Sequence, residues 1–376
     1  MRYIPAKAQS RKEKPQSKTL QRSAKVVTAF CSKLESHGPI VNNRGKFFLP
    51  KPADLKSLRG ARKAKLPEFI PPQLATLVKT PPTGNEWLHE LKFDGYRMLC
   101  RIERGKVKFW SRNGKEWTPK FPSVTAAIKE LDAASAMLDG EIVIVDAQGR
   151  SSFQKLQQAM AKRVTTGFVY QVFDLLHLNG FDLTRLPLKK RKELLKDLCS
   201  GKQDLLRYSE HLEGSGEAFY KHACEYGIEG IVSKLSTSTY DSTRNRNWLK
   251  VKCNKQQEFV IVGYTPSSKG MPGFGSLVLG VYEKKKLIYA GRVGTGFTIQ
   301  LRTEIQKRLD KISRQTSPLS SIPNDPGLRT AHWSEPKLVG EVVFTEWTSD
   351  GSIRHPSFQG LREDKSATDV VREQVK

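Results

Sequence analysis

Residues 90–97 read Glu-Leu-Lys-Phe-Asp-Gly-Tyr-Arg and place one lysine, Lys92, inside a segment that otherwise has the pattern of a β-strand. An ammonium group is costly to bury unless it is paired or used. A lysine set among carboxylates and backbone dipoles, near a bound cation, can lose its proton and act as a nucleophile. The stretch alone also fits a surface lysine at a strand end, so the motifs around it decide its meaning.

Six further motifs follow Lys92, and each has an ordinary explanation when it stands alone. They are SRNG (111–114), LDGE (138–141), VFDLL (172–176), EGIVSK (229–234), WLKVK (248–252) and RHPSFQGLREDK (354–365). Glu141 and Glu229 each adjoin a glycine in a strand-like segment, where a carboxylate can face a metal ion, although a solvated strand end would look the same. Lys250 and Lys252 alternate on a predicted strand, so their ammonium groups share one face.

The composition indicates a polyanionic partner. The 376 residues include 64 Lys and Arg against 38 Asp and Glu, a net charge of +26. Such an excess favours nucleic acid, although an acidic membrane surface would also attract it. Hydrophobic residues make up only 38%, and no run approaches the ~18 apolar residues of a spanning helix. No apolar stretch follows the basic start as in a signal peptide, so a membrane protein is excluded.

Residues 1–65 form a basic tail that carries much of this charge. They contain 17 Lys or Arg and three acidic residues, which gives +14 of the +26. The first 25 residues lack periodicity and are predicted to be disordered, whereas 26–34 fits a short helix and 46–49 a strand. Two interpretations stay open: a solvated leader, or an electrostatic arm on phosphates that weakens steeply with salt. The overall basic excess favours the arm.

Hydrophobic periodicity predicts an α+β fold for the rest of the chain. Strands are predicted at 87–100, 107–111, 136–146 and 168–176, and helices at 122–131, 153–161, 188–198 and 214–226. Beyond residue 255 the strands are 258–264, 276–283, 286–293 and 339–347, with one helix at 297–312. We therefore predict one domain at 66–255, a hinge at 255–258, and a small Greek-key barrel of the OB type at 256–376.

The five cysteines show no recognisable pairing pattern. They are widely spaced, odd in number and without a CxxC pair: Cys31, Cys100, Cys199, Cys224 and Cys253. A disulfide framework and a structural zinc site are both poorly supported, which predicts a reducing compartment.

Taken in order, the seven motifs resemble those of the covalent nucleotidyltransferases: ATP-dependent DNA ligases, RNA ligases and mRNA capping enzymes. The forms HELKFDGYR, LDGEIV, FDLLHLNG, EGIVSK, WLKVK and RHPSFQGLREDK look most like the ligase domain of bacterial non-homologous end-joining DNA ligases. The resemblance runs from about residue 67 to 373 and leaves only the basic tail outside it. It implies a nucleotidyltransferase (adenylation) domain followed by an OB-fold β-barrel.

The resemblance also implies roles for twelve residues. Lys92 would attack the α-phosphate of ATP and hold AMP, while Lys250 and Lys252 bind phosphates and assist the chemistry. Glu141 and Glu229 match ligands of a divalent metal, Mg²⁺ with Mn²⁺ as a substitute. Glu90 matches a residue near the adenine, Phe173 the ring that stacks on the adenine, and Lys234 a residue at the nucleotide. Arg97 and Arg112 match residues at the ribose or the DNA 5′-phosphate. Arg362 and Lys365 match residues at the leaving pyrophosphate, and Arg354 is a weaker match there.

The implied reaction requires a moving barrel. Because Arg362 and Lys365 belong to the C-terminal part, the barrel would close over ATP for the first step and then swing away to admit DNA. Some of these residues also have explanations that do not involve catalysis. Phe173 in its apolar run would by itself be a core residue, and basic residues near the C terminus would be a solvated helix start.

The predicted function is an ATP-dependent DNA ligase that seals nicked or broken duplex DNA through lysyl-AMP at Lys92. The lean core suggests repair by end joining, as a monomer with a Ku-like end-binding partner and no membrane contact. An RNA ligase or a GTP-using capping enzyme is the nearer alternative, and a non-catalytic basic nucleic-acid-binding protein the other. In a bacterium we expect the cytoplasm, at the nucleoid, although the tail also fits a nuclear address.

Overall fold

The computed structural model of the protein describes residues 52–201, 204–267 and 272–374. The predicted disorder of the first 25 residues, the helix at 26–34 and the strand at 46–49 lie outside the described residues. Within the part that is described, no helix has the length and apolarity to cross a membrane.

The first domain is built on two sheets. Its strands are β1 (Arg62–Lys63), β2 (Leu74–Leu77), β3 (Trp87–Leu91), β4 (Tyr96–Glu103), β5 (Lys106–Ser111), β6 (Ser135–Ile144), β7 (Phe168–Leu178), β8 (Phe181–Asp182), β9 (Leu206–Tyr208), β10 (Leu212–Glu213), β11 (Gly230–Leu235) and β12 (Arg244–Lys252). A seven-stranded sheet has the order β1-β8-β7-β6-β4-β5, with β9 beside β7. A five-stranded sheet has the order β10-β3-β11-β12-β2. Pairing is mainly antiparallel, but β9 runs parallel to β7 and β2 to β12.

The helices of the first domain pack on its two sheets. They are α1 (Pro52–Ser57), α2 (Pro122–Lys129), α3 (Phe153–Ala161), α4 (Leu188–Leu198) and α5 (Gly216–Glu225), with a 3-10 turn at Thr118–Lys120. Four of these five helices pack on the larger sheet, and α5 packs on the smaller sheet through Phe219 and Ala223. Strand β7 is buried along its whole length, as its nearly continuous apolar sequence requires. Phe153 and Leu156 of α3 and Leu194 and Leu195 of α4 point into the same core. These helices form because their apolar residues recur at helical spacing and so share one face.

The first domain begins before the expected boundary at residue 65. Leu55 of α1 is fully buried in the core of the larger sheet. Strand β1 pairs with β8, with Arg62 opposite Asp182. Residues from Pro52 onward therefore belong to the domain, because a buried leucine and a strand pair hold them to it.

The C-terminal part is a β-barrel with one helix. Its elements are β13 (Lys255–Pro266), β14 (Phe274–Glu283), β15 (Lys286–Val293), α6 (Ile299–Asp310), β16 (Ser313–Arg314), β17 (His332–Phe344), β18 (Glu346–Trp347), β19 (Ile353–Arg354) and β20 (Ser357–Leu361), with 3-10 turns at Pro326–Leu328 and Ala367–Asp369. The strand order is β15-β14-β13-β17-β16, with β20 beside β17. Fully buried Phe259, Phe274 and Val342 contribute to its core. The predicted α+β fold with an OB-type barrel is confirmed.

The expected hinge at 255–258 falls on the first residues of the barrel. These residues begin β13 and pair with β17, with Lys255 opposite Phe344 and Glu258 opposite Glu341. The break between β12 and β13 falls instead at Cys253 and Asn254. The hinge itself stays a prediction.

A disulfide framework has little support in the sequence, but the part of the chain that the structure describes contains one disulfide. Cys224 at the end of α5 and Cys253 just after β12 are joined by a disulfide across 29 residues of sequence. Widely separated cysteines without a CxxC pair gave no signal, because only the packing of α5 beside the end of β12 brings them together. Cys100 and Cys199 are buried and unpaired, and Cys31 lies outside the described residues.

Candidate active site

The turn that carries Lys92 joins the two sheets of the first domain. Strand β3 belongs to the smaller sheet and β4 to the larger one, so residues 92–95 cross between them. The backbone N–H of Lys92 donates to the carbonyl oxygen of Gly230, 2.9 Å away. Gly95 is required here because a Cβ would collide with the carbonyl oxygen of Ile142. The turn thus fixes Lys92 at the mouth of the space between the sheets.

All twelve residues singled out from the sequence line one cavity of about 440 Å³. The larger sheet and the β5–α2 connection supply Arg97, Arg112, Glu141 and Phe173; the smaller sheet and its flanks supply Glu90, Lys92, Glu229, Lys234, Lys250 and Lys252; and the barrel supplies Arg362 and Lys365. The weaker match, Arg354, does not line the cavity but pairs with Glu346 at the surface, 2.7 Å away. The cavity is therefore bounded by both domains.

Lys92 is ion-paired rather than free. Its Nζ lies 2.5 Å from Oε2 of Glu229. Burial lowers the pKa of the Lys92 ammonium, but the Glu229 carboxylate, aided by Asp94 and Glu141, outweighs it and holds that pKa above its ordinary value. Burial also raises the pKa of the Glu141 carboxyl to about 7. The cavity therefore keeps its lysine protonated among carboxylates.

These carboxylates have the chemistry of a hard-cation site. Burial, followed by the charges of Glu229 and Glu341, raises the pKa of Asp94, so negative charge is crowded beside Lys92. A divalent cation would relieve that crowding. Among the described residues no group of three or more His, Cys, Asp or Glu is placed to hold a metal ion by itself. An open pair such as Glu141 and Glu229 suits Mg²⁺, which keeps water and phosphate oxygens in its shell.

One wall of the cavity is a buried charge network around Glu90. Its carboxylate lies 2.8 Å from Nζ of Lys192 and 3.0 Å from Nζ of Lys234, and it accepts a hydrogen bond from Ser209 Oγ. Burial lowers the pKa of Lys234 to about 8. The ammonium of Lys234 lies 4.2 Å from the centre of the Phe173 ring, which is 9% exposed. Phe173 thus meets the cavity with a small part of its ring.

Two further guanidinium groups of the cavity come from the larger sheet and from the connection after β5. Arg97 donates two hydrogen bonds to Asp139, at 2.9 and 2.6 Å, and Tyr240 donates a third to the same carboxylate at 2.7 Å. Arg97 is therefore fixed in place. Arg112 lines the cavity, and burial lowers the pKa of its guanidinium. A buried cation whose pKa is lowered gains from an incoming anion.

Lys250 and Lys252 point to the same side of β12, as their alternation predicts. Both contact the carboxylate of Glu373, with Nζ–Oε distances of 2.6 and 2.8 Å. Burial, followed by the neighbouring charge of Lys252, lowers the pKa of Lys250 to about 8. Two ammonium groups on one face form a site for an anion, and in this structure a side chain of the same protein supplies it.

The barrel faces the cavity with a second charge network. Arg362 donates to both carboxylate oxygens of Asp364, at 2.9 and 2.8 Å, and to Glu341 at 2.6 Å. Nζ of Lys365 lies 2.7 Å from Glu258. Across the domain boundary, Gln157 of α3 donates to the carbonyl oxygen of Leu361 at 2.7 Å. The barrel is therefore closed against the first domain.

Sequence reasoning missed several residues of the site. Asp139 and Trp248 stand inside the LDGE and WLKVK motifs, so their position was a usable signal. Lys192, Glu341 and Glu373 lie outside the seven motifs, and an isolated charged residue gives no signal of a role in the site. Their role depends on contacts that only the tertiary structure creates.

Comparison with known proteins identifies the family. The ATP dependent DNA ligase domain matches residues 72–252, and the ATP dependent DNA ligase C terminal region matches residues 271–365. The multifunctional non-homologous end joining protein LigD of Pseudomonas aeruginosa is 38% identical over 342 residues, 90% of this chain and 41% of that protein. The SPbeta prophage-derived DNA ligase-like protein LigB of Bacillus subtilis is 32% identical over 200 residues, 52% of this chain and 72% of that protein.

The solved structures agree with these matches. The mycobacterial DNA ligase D in complex with ATP and MES is 30% identical, with a TM-score of 0.59, and the alignment covers 80% of this chain and 98% of that one. The chain spans less than half the length of the LigD proteins that it matches. Ten of the twelve residues lie in the first matched region, and Arg362 and Lys365 lie in the second. The chain therefore belongs to the family of ATP-dependent DNA ligases.

Proposed function

We propose that the chain seals breaks between a 5′-phosphate and a 3′-hydroxyl in duplex DNA by passing AMP from ATP through Lys92. The observation that carries the proposal is the convergence of the twelve residues on one cavity at the junction of the two domains. Membership of the DNA ligase family favours this function over an RNA ligase, a GTP-using capping enzyme or a non-catalytic binding protein.

In the first step, Lys92 Nζ attacks the α-phosphorus of ATP. The new N–P bond replaces the bond to pyrophosphate, which leaves with the electron pair. Lys250 and Lys252 would hold the phosphate under attack, and Arg362 and Lys365 would orient the leaving pyrophosphate. Cations fixed before the reaction stabilise the charge that develops without reorganising.

Lys92 must lose its proton before it can attack. The 2.5 Å ion pair with Glu229 opposes this, because it stabilises the ammonium form. Glu141 and Glu229 would hold Mg²⁺, with Mn²⁺ as a substitute, and a bound divalent ion supplies charge neutralisation for the triphosphate. A Glu229 carboxylate that also faced a cation would hold the Lys92 proton less strongly.

In the second and third steps, AMP passes to the DNA 5′-phosphate and the 3′-hydroxyl then displaces it. The closed barrel covers the cavity, so it must move away from the first domain to admit a duplex. The exposed wall would then offer Arg112, with Arg97 held by Asp139, to the 5′-phosphate or the ribose. Glu90, Phe173 and Lys234 would position the adenine.

The biological setting we infer is repair of broken DNA by end joining. The support is the similarity to LigD proteins, whose names place them in non-homologous end joining. A monomer working with a Ku-like end-binding protein fits this setting, with the basic residues 1–51 as an added contact to DNA phosphates. In a bacterium, a chromosomal substrate implies the cytoplasm, at the nucleoid.

The test is sealing of a singly nicked, labelled duplex with ATP and Mg²⁺. We expect the unaltered protein to seal it and Lys92→Ala to lose both sealing and covalent AMP labelling. Lys108→Ala is the matched control, because Lys108 is a surface lysine paired with Glu68. Sealing by Lys92→Ala at the unaltered rate would refute the mechanism, and labelling without sealing would point to a different acceptor.

A further inference from the structure

The last described residues run from the barrel into the cavity. The carbonyl oxygen of Val370 accepts a hydrogen bond from the backbone N–H of Tyr282, 2.8 Å away. The guanidinium of Arg372 lies 4.4 Å from the centre of the Trp347 ring. The backbone N–H of Glu373 donates to Gln257 at 3.2 Å. The segment is thus fixed to the barrel and will move with it.

From this anchored segment, the Glu373 side chain reaches the first domain. Its carboxylate binds Lys250 and Lys252 together, one oxygen to each ammonium, at 2.6 and 2.8 Å. The three side chains are only 22%, 15% and 10% exposed, so solvent screens the contact weakly. The two lysines lower the pKa of the Glu373 carboxyl to about 2, so it is ionised at any physiological pH.

A carboxylate that bridges two lysines resembles one edge of a bound phosphate, because each places one negative oxygen opposite each ammonium. The inference rests on the proposed function, in which the same two ammonium groups hold the nucleotide phosphate. Each ammonium has three N–H donors, but a phosphate placed between the same two lysines would occupy the position of the Glu373 carboxylate and be repelled by its charge. Nucleotide binding therefore has to displace Glu373, and the contact also ties the barrel to the first domain.

We propose that Glu373 is an intramolecular competitor of ATP, which occupies the phosphate position of the ligand-free enzyme until nucleotide replaces it. A ligand that must first displace a competing group binds with an apparent affinity reduced by the population of the open site. Removing the Glu373 charge should thus strengthen nucleotide binding, which is the opposite of what a supporting residue would show.

The experiment measures the Kd of an ATP analogue with a methylene bridge between the α- and β-phosphates, which cannot transfer AMP. The full chain is first freed of covalent AMP with pyrophosphate, and binding is followed by calorimetry with Mg²⁺ at fixed ionic strength. Glu373→Gln should bind the analogue at least about fivefold more tightly than the unaltered protein. Glu335→Gln is the matched control, since this barrel carboxylate lies on β17 and is 44% exposed, and it should leave Kd unchanged.

Two further variants separate the inference from its premise. Lys252→Ala should weaken analogue binding, and in that background Glu373→Gln should tighten it less, because the two residues act as one unit. Unchanged or weaker binding by Glu373→Gln, with Lys252→Ala still weakened, would overturn the competitor role alone. Unchanged binding by Lys252→Ala would overturn the phosphate-binding role on which it rests. Glu373→Asp, which keeps the charge on a shorter side chain, should give an intermediate Kd.

Discussion

Lys92 Nζ lies 2.5 Å from Glu229 Oε2, although 137 residues separate the two in the sequence. The pair joins the turn after β3 to the residue that precedes β11. It holds the proposed nucleophile in its protonated, unreactive form. The same carboxylate is one of the two proposed metal ligands, so nucleophile and metal would compete for Glu229.

The first prediction concerns this shared carboxylate. Glu229→Gln should lower covalent AMP labelling of Lys92 on the order of 100-fold, because it removes fixed charge that acts in the reacting step. Labelling with radioactive ATP over a range of Mg²⁺ concentrations measures the effect, and added Mg²⁺ should not restore it fully. Glu225→Gln, which alters an exposed carboxylate at the end of α5, is the control. Labelling of Glu229→Gln at the unaltered rate would contradict the assignment.

The second prediction separates the reaction steps. Arg362 belongs to the barrel and reaches the cavity only when the barrel is closed, so Arg362→Ala should impair AMP transfer to Lys92 on the order of 100-fold or more. Sealing of a nick that already carries AMP should be retained, because the barrel has to leave the cavity before DNA enters. Single-turnover assays with the two substrates measure the steps separately.

The control for this prediction is Arg354→Ala, which alters an exposed arginine of the same final motif that pairs with Glu346. It should leave both steps unchanged. Equal loss of both steps in Arg362→Ala would show that Arg362 acts throughout the reaction rather than on the leaving pyrophosphate.

The third prediction concerns the disulfide between Cys224 and Cys253. Replacing either cysteine by serine should lower the free energy of unfolding by about 2–4 kcal/mol, because the cross-link restricts the unfolded chain. Urea denaturation with and without a reductant measures the loss. A reductant should destabilise the unaltered protein and leave the serine variants unaffected. A stability of the unaltered protein that does not depend on reductant would argue that the two thiols are unpaired in solution.

Patterns within one element were predictable from the sequence. Helices 153–161 and 188–198 have their predicted ends, because apolar spacing defines a buried face over two or three turns. The shared face of Lys250 and Lys252 follows from strand alternation. Motif order located the cavity residues, because each motif combines a glycine or strand signal with a functional side chain.

Contacts between distant elements were not predictable in this way. The burial of Leu55, the Cys224–Cys253 bond and the hold of Glu373 on β12 each join segments whose own sequences carry no mark of the partner. Lys192 is an example of a site residue that the sequence alone does not reveal. It looks like a surface residue of a basic helix, yet it is 1% exposed and paired with Glu90. Only packing of α4 against the sheet makes the lysine part of the site.

The fourth prediction concerns the buried pair of Asp174 and Arg191. Both side chains are fully buried, with Nε–Oδ1 and Nη2–Oδ2 distances of 2.7 and 2.9 Å, and Arg191 also donates to the carbonyl oxygens of Leu186 and Ser238. Asp174→Ala leaves this guanidinium buried without its counter-ion. The free energy of unfolding should fall by about 3–5 kcal/mol, measured by urea denaturation.

The control and the neighbouring residue distinguish stability from binding. Glu193→Ala, which removes an exposed partner of Lys190 on the same helix, should change stability by less than about 0.5 kcal/mol.

Strand alternation points Phe173 toward the cavity and Asp174 away from it, and Asp174 is absent from the cavity wall. Phe173→Ala should therefore weaken nucleotide binding, whereas Asp174→Ala, at temperatures where it remains folded, should not. Loss of nucleotide binding by folded Asp174→Ala would mean that this carboxylate contributes directly to the site.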